Sequence, residues 1–193
     1  LAALRTALDE GAVRSAEPNV KHEAPEPHMN LPWAIGGERA YAEQWAPQAL
    51  RLPQAHAVSS GAGVRIALLD TGIDASHPAL AGRLLPGFDF VDFDTDPSER
   101  GSALDRSFGH GTHVAGLLAM VAPNARILPL RILDEHGVGN LWVLAEAMLH
   151  AVDPDGNPAT NDGAHVINLS LGTVAKTELF KTVARLVTCR KGG

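Results

Sequence analysis

A single cysteine, Cys189, occurs in 193 residues, so no disulfide can close within the chain. A small thiol on a helical pattern reads as packing, not redox chemistry. Basic clusters are missing as well. Lys and Arg number 16 against 22 Asp and Glu, a net charge of −6, and this balance excludes nucleic acid as a partner. No apolar run reaches the length needed to cross a bilayer, which excludes a membrane span. No signal peptide can be read from Leu1 onward, and this says nothing about secretion. What is present is an ordinary globular composition, 45% hydrophobic and 20% charged, long enough to enclose one core.

The stretch with most chemistry in it is Ser107-Phe-Gly-His-Gly-Thr-His-Val-Ala-Gly116. Gly109 and Gly111 flank His110, leaving room for a substrate backbone. The small residues that follow suit a helix buried against a sheet. A histidine in the first turn of that helix is expected at a mouth, with its ring exposed. His110 and His113 are spaced like metal ligands on one helical face, but no third ligand has an evident place, so zinc is set aside. His113 reads as a buried partner. Forty residues before His110, Val64-Arg-Ile-Ala-Leu-Leu-Asp70 is a continuous apolar run closed by a carboxylate. That is the pattern of a parallel strand covered on both faces, and ligands bind at the carboxyl ends of such strands. Asp70 could alternatively cap the Thr-Gly turn after it. An aspartic protease of the retroviral type also carries Asp-Thr-Gly, but in an all-β chain, and here strands alternate with helices.

Further along, Ala125 to Leu133 reads as a strand whose Pro129 requires a bulge or an edge. A helix is expected over Leu141–Ala151, a polar loop over Asp153–Gly163, a buried strand over Ala164–Leu169 and a last helix from Thr173 to Arg190, stopped by Gly192. Leu1, Leu4 and Leu8 have helical spacing. The prolines between Glu17 and Pro32 mark a linker outside the core. Asp89, Asp92, Asp94 and Asp96 put four carboxylates in eight residues. They read either as a solvated acidic loop or as a structural calcium site, since a hard cation wants several such oxygens on one flexible loop.

Three segments, Leu68-Leu-Asp-Thr-Gly-Ile-Asp74, Gly109-His-Gly-Thr-His-Val-Ala-Gly116 and Val166-Ile-Asn-Leu-Ser-Leu-Gly172, together resemble the subtilisin-like serine proteases (subtilases, peptidase family S8). The resemblance implies a doubly wound parallel α/β sheet, incomplete at its C-terminal side. It implies that Asp70 orients the imidazole and stabilises its cation while His110 serves as general base for a serine, with no cofactor needed for the chemistry. It places Gly137, Val138 and Gly139 on one edge of a substrate cleft and Ser170, Leu171 and Gly172 on the other, a peptide adding as a strand between them. The family's Gly-Thr-Ser nucleophile segment and its Ala-Gly-Asn oxyanion segment do not occur here. Ser170 has no elbow-type turn around it and is not the nucleophile.

The resulting expectation is the N-terminal part of a serine endopeptidase, inactive by itself because serine and asparagine lie beyond Gly193. The alternative is a non-catalytic, peptide-binding remnant of the same fold. By the same resemblance, residues 1–24 are a propeptide remnant with a Glu17-Pro-Asn19 turn, 25–44 a linker and N-terminal arm, and 45–193 a partial catalytic domain. Its partners are a protein or peptide substrate and its own propeptide acting as intramolecular inhibitor. The chain is expected as a secreted or extracellular monomer, with processing somewhere between Glu17 and Pro32. Trp45 reads as part of the arm or as a packing anchor, and both readings bury its ring.

Overall fold

The computed structural model describes residues 17–24, 41, 43–172 and 177–189. The expected helix over Leu1–Leu8, residues 25–40 of the expected 25–44 linker and arm, and the Gly192 stop lie outside the described residues.

Strand β2 (Arg65–Asp70) is the centre of a parallel sheet. On one side it pairs in register with β4 (Arg126–Arg131), and on the other with β6 (Val166–Leu169). The two-residue strand β3 (Phe88–Asp89) lies beyond β4. Side chains alternate along a strand, and the alternation divides the core in two. Ala67 and Leu69 of β2, with Leu128 and Leu130 of β4, pack under helices α4 (Leu141–Val152) and α5 (Glu178–Cys189). Leu68 and Ile127 face the other way, under α3 (His110–Val121). Helices thus cover both faces, as the apolar run before Asp70 requires, and the architecture is the doubly wound α/β one.

Pro129 sits inside the sheet without costing a ladder bond. Ile127 N–H and C=O both bond to the Arg83–Leu85 segment, and Phe90 N–H reaches Arg131 C=O. Residues 127, 129 and 131 therefore face that neighbour. The nitrogen of Pro129 falls in the break between the Leu84–Ile127 bridge and β3. Gly87 fills the break, since a Cβ there would stand 2.2 Å from Pro129 O. Strand β6 is half-exposed instead of buried, with Val166 at 49%, because only β2 pairs with it among the described residues.

Two expectations at the N-terminal side are corrected. Glu17–Pro32 is not all linker: Lys21–Glu23 forms strand β1, antiparallel to β5 (Val138–Asn140), and His22 and Ala24 are buried. Main-chain bonds hold β1, so the shortage of large apolar side chains is no obstacle. Trp45 is 80% exposed, because the short helix it opens, α1 (Ala46–Ala49), buries none of its residues. Arg51, in left-handed backbone, separates α1 from α2 (Leu52–Val58).

Candidate active site

Asp70 ends the central strand, and α3 begins at His110 after Gly109, whose φ of +85° turns the chain into the helix. The two ends meet. His110 Nδ1 lies 2.5 Å from Asp70 Oδ1, with both side chains nearly inaccessible. Asp70 Oδ1 also accepts the Thr71 N–H at 2.8 Å, which fixes the carboxylate plane. An imidazole so held is restricted in tautomer, leaving Nε2 as the nitrogen that can accept a proton. The ring is buried, not exposed at a mouth as its position in the chain suggested.

The two glycines beside His110 differ in purpose. Gly109 supplies a positive φ and faces open space. Gly111 is a contact point: a Cβ there would be 2.0 Å from Gly72 O and 3.2 Å from Asp70 Oδ1. Its missing side chain lets the helix reach the strand end and is not room for substrate. His113, expected as a buried partner, lies on the exposed side of α3.

A groove runs beside this pair. Its near wall is the Gly137–Val138–Gly139 edge and its far wall ends in Gly172. Residues 20–24 of the same chain lie extended between them. Lys21, His22 and Glu23 pair with Asn140, Gly139 and Val138. Ala24 N–H donates to Gly137 O at 2.8 Å, while Glu23 exchanges two bonds with Gly172, at 3.2 and 3.0 Å. The segment is tied at its start as well, where the Glu17 carboxylate accepts the N–H groups of Glu178 and Leu179 at the first turn of α5. Such a carboxylate complements the helix dipole. The groove ends close to the histidine loop: a Cβ on Gly137 would meet Ser107 Oγ and Ala24 Cβ, and Ser107 O accepts the His110 N–H. Of the predicted substrate residues, Gly137, Val138, Gly139 and Gly172 are brought onto this segment. Ser170 Oγ accepts from Asn168 Nδ2, and Leu171 packs on the core.

Sequence reasoning missed His22. Its ring is 2% exposed and Nε2 has no hydrogen-bond partner among the described residues. Burial lowers its pKa to about 4, so at neutral pH it is an uncharged side chain in the groove. A histidine among prolines in a polar stretch gave no signal for this.

The acidic loop is organised around arginine. Arg131 Nη1 lies 2.7 Å from Asp89 Oδ2 and 2.8 Å from Asp92 Oδ2. Arg100 stands 3.5–3.8 Å from Asp92, Asp94 and Asp96. Asp89 Oδ1 is taken by the N–H groups of Val91 and Asp92. These four carboxylates turn onto two guanidiniums instead of a common point, so the donor set does not fit a calcium ion in this arrangement. Among the described residues, the group of three acidic side chains with oxygens within 4.8 Å of one another is Asp153, Asp155 and Asp162, on the loop before β6.

The site is thus a carboxylate-held imidazole at the carboxyl ends of a doubly wound α/β sheet, with an extended strand of the same chain between the Val138–Asn140 edge and Gly172. The family model for the subtilase family (Peptidase_S8) matches residues 61–191. The chain belongs to the subtilase family. It is 39% identical over 153 residues to thermitase of Thermoactinomyces vulgaris, covering 74% of this chain and 50% of that protein. It is 38% identical over 166 residues to a thermophilic serine proteinase of Bacillus sp. (strain AK1), covering 80% and 38%. Among solved structures, it is similar to a protease from Pseudoalteromonas arctica, with a TM-score of 0.62 and 29% identity over 73% of this chain and 51% of that one. A cold adapted subtilisin-like serine proteinase gives a TM-score of 0.56 at 28% identity, covering 68% and 45%. The chain spans about half the length, or less, of the curated relatives it matches first. No helix among the described residues is long and apolar enough to cross a membrane.

Proposed function

We propose that the chain carries the Asp–His half of a serine endopeptidase, with Asp70 as the orienting carboxylate and His110 as the general base. The nucleophilic serine and the oxyanion asparagine come from sequence that follows in the whole protein. In the reaction, His110 Nε2 takes the proton of the serine hydroxyl as it attacks the scissile carbonyl, then gives it to the leaving amine. Asp70 stays ionised and stabilises the imidazolium. The chemistry calls for no cofactor. Substrates are proteins or peptides, bound as a strand across Val138–Asn140 and Gly172. The single observation that carries the reading is the Asp70–His110 contact between two buried side chains.

Residues 17–24 are the tail of an inhibitory propeptide. They support this reading by filling the groove with the main-chain bonds a substrate would make. Residues 25–44 are the linker and arm that follow, and 45–193 the partial catalytic domain of a secreted, monomeric enzyme. One relative of this chain is the minor extracellular protease Vpr of Bacillus subtilis (strain 168).

The test compares casein hydrolysis by the purified 193-residue chain and by a longer protein that adds the proposed serine and asparagine segments. Hydrolysis is expected only from the longer protein and is lost in His110→Ala. Turnover by the 193-residue chain that survives His110→Ala would overturn the assignment.

A further inference from the structure

The Asp70–His110 contact joins two elements that are not continuous, a strand end and a helix start, so something must hold one to the other. Gly111 brings them close but bonds nothing through a side chain. The bonds come from two hydroxyls and one carboxylate. Thr71, on the strand side, accepts the Gly111 N–H of the helix on its Oγ1 at 3.0 Å. Thr112, on the helix side, accepts the Asp74 N–H of the strand loop on its Oγ1 at 2.8 Å. A hydroxyl has one proton to donate, and both threonines direct it to the same residue. Thr71 Oγ1 lies 3.2 Å from Glu99 Oε2, and Thr112 Oγ1 lies 3.1 Å from Glu99 Oε1, which also accepts the Thr112 N–H at 3.1 Å. Glu99 is itself held beside the strand end. Its N–H donates to Ile73 O, and Gly72 has no side chain because one would meet Ser98 O at 2.8 Å.

We infer that Glu99 is a positioning residue of the active site. By fixing the direction of both threonine hydroxyls it locks the end of β2 to the first turn of α3, and so holds His110 against Asp70. The inference rests on the proposed roles of Asp70 and His110. The carboxylate suits the place for two reasons. It accepts three donors at once, which only an ionised oxygen pair does without leaving a proton facing a proton. It also sits at a helix N-terminus, where negative charge is favoured. Glu99 acts through the two threonines. A displacement of a catalytic group on the ångström scale costs about a hundredfold in rate, so a lock of this kind has a large effect for three hydrogen bonds.

The test reads the pair directly in the 193-residue chain. A proton held between a histidine Nδ1 and a buried carboxylate resonates far downfield in the proton NMR spectrum. It is assigned by its disappearance in His110→Gln. The wild-type chain is expected to show it. Glu99→Ala is expected to lose it while the thermal melt stays cooperative. Glu99→Gln keeps an acceptor toward Thr112 and is expected to retain it, exchange-broadened. A resonance unchanged in Glu99→Ala would overturn the role of Glu99 and leave the Asp70–His110 pair standing. No such resonance in the wild-type chain would instead overturn the pair, and Glu99's role with it. Should Glu99→Ala fail to fold, hydrogen exchange on the wild type decides. Gly111, Thr112 and Asp74 amides protected like those of β2 support the lock, and exchange at the rate of exposed loops overturns it.

Discussion

Arg131 stands opposite Asp70 in the parallel register of β2 and β4, yet the two charges are not partners. Asp70 is taken by His110, and Arg131 turns to Asp89 and Asp92. The two sets of contacts are separate, Asp70 with His110 and Arg131 with the acidic segment after Gly87.

Arg131 and Asp89 are both fully enclosed. Removing one member of a buried pair leaves an uncompensated charge and costs about 3–5 kcal/mol. Arg131→Ala should lose about that much in urea unfolding. Arg100→Ala, whose carboxylate contacts are half-exposed, should lose less than about 1 kcal/mol. Equal losses in the two variants would show that burial does not govern the loop.

Gly111 is where strand and helix touch. Alanine there would drive a Cβ to 2.0 Å from the Gly72 carbonyl, a backbone atom that cannot rotate away. Overpacking of this kind costs about 1–3 kcal/mol, so Gly111→Ala should lower the melting temperature by several degrees and abolish the downfield proton. Gly109→Ala should be strained by its φ of +85° alone, meeting no atom, and should leave the proton in place. Loss of the signal in both variants equally would point to backbone strain as the cause.

How much of this was legible beforehand depends on how far apart the interacting residues lie. Asp70 and His110 announce themselves because each sits in a short segment whose neighbours explain it: an apolar run ending in a carboxylate, and a glycine-flanked ring opening a small-residue helix. That both faces of the sheet are covered follows from the unbroken apolar run through Ile66 to Leu69. Glu99 left no trace, since its partners are 28 residues before it and 13 after it in sequence, and no local pattern marks such a residue. Strand β1 was hidden for a related reason. Its bonds are main-chain bonds to β5, more than a hundred residues on, and proline content in its surroundings argued for a linker. Trp45 misled in the other direction, because a large ring says nothing about whether its helix has a core to face.

His22 makes the groove strand sensitive to acid. Burial lowers its pKa from 6.5 to about 4, so the docked segment favours the neutral ring while the released one protonates at its ordinary value. Released chain binds more protons between those values, so docking weakens as pH falls. Stability of the docked strand is full above about 6.5 and is lost progressively down to about 4. Protection of the Glu23, Ala24 and Gly172 amides, taken relative to the intrinsic exchange rate at each pH, should fall through that window. His22→Leu, uncharged at every pH, should remove the dependence. A fall in protection of the same size in His22→Leu would assign the effect to other groups.

The central claim is that Asp70 exists to orient His110 for proton transfer. The most direct measurement is the turnover of Asp70→Asn in the longer protein, with peptide affinity measured alongside. Asparagine keeps the shape but stabilises the wrong tautomer, and kcat should fall by about 10⁴ with affinity unchanged. A variant that hydrolyses peptide bonds at close to the wild-type rate would contradict the account.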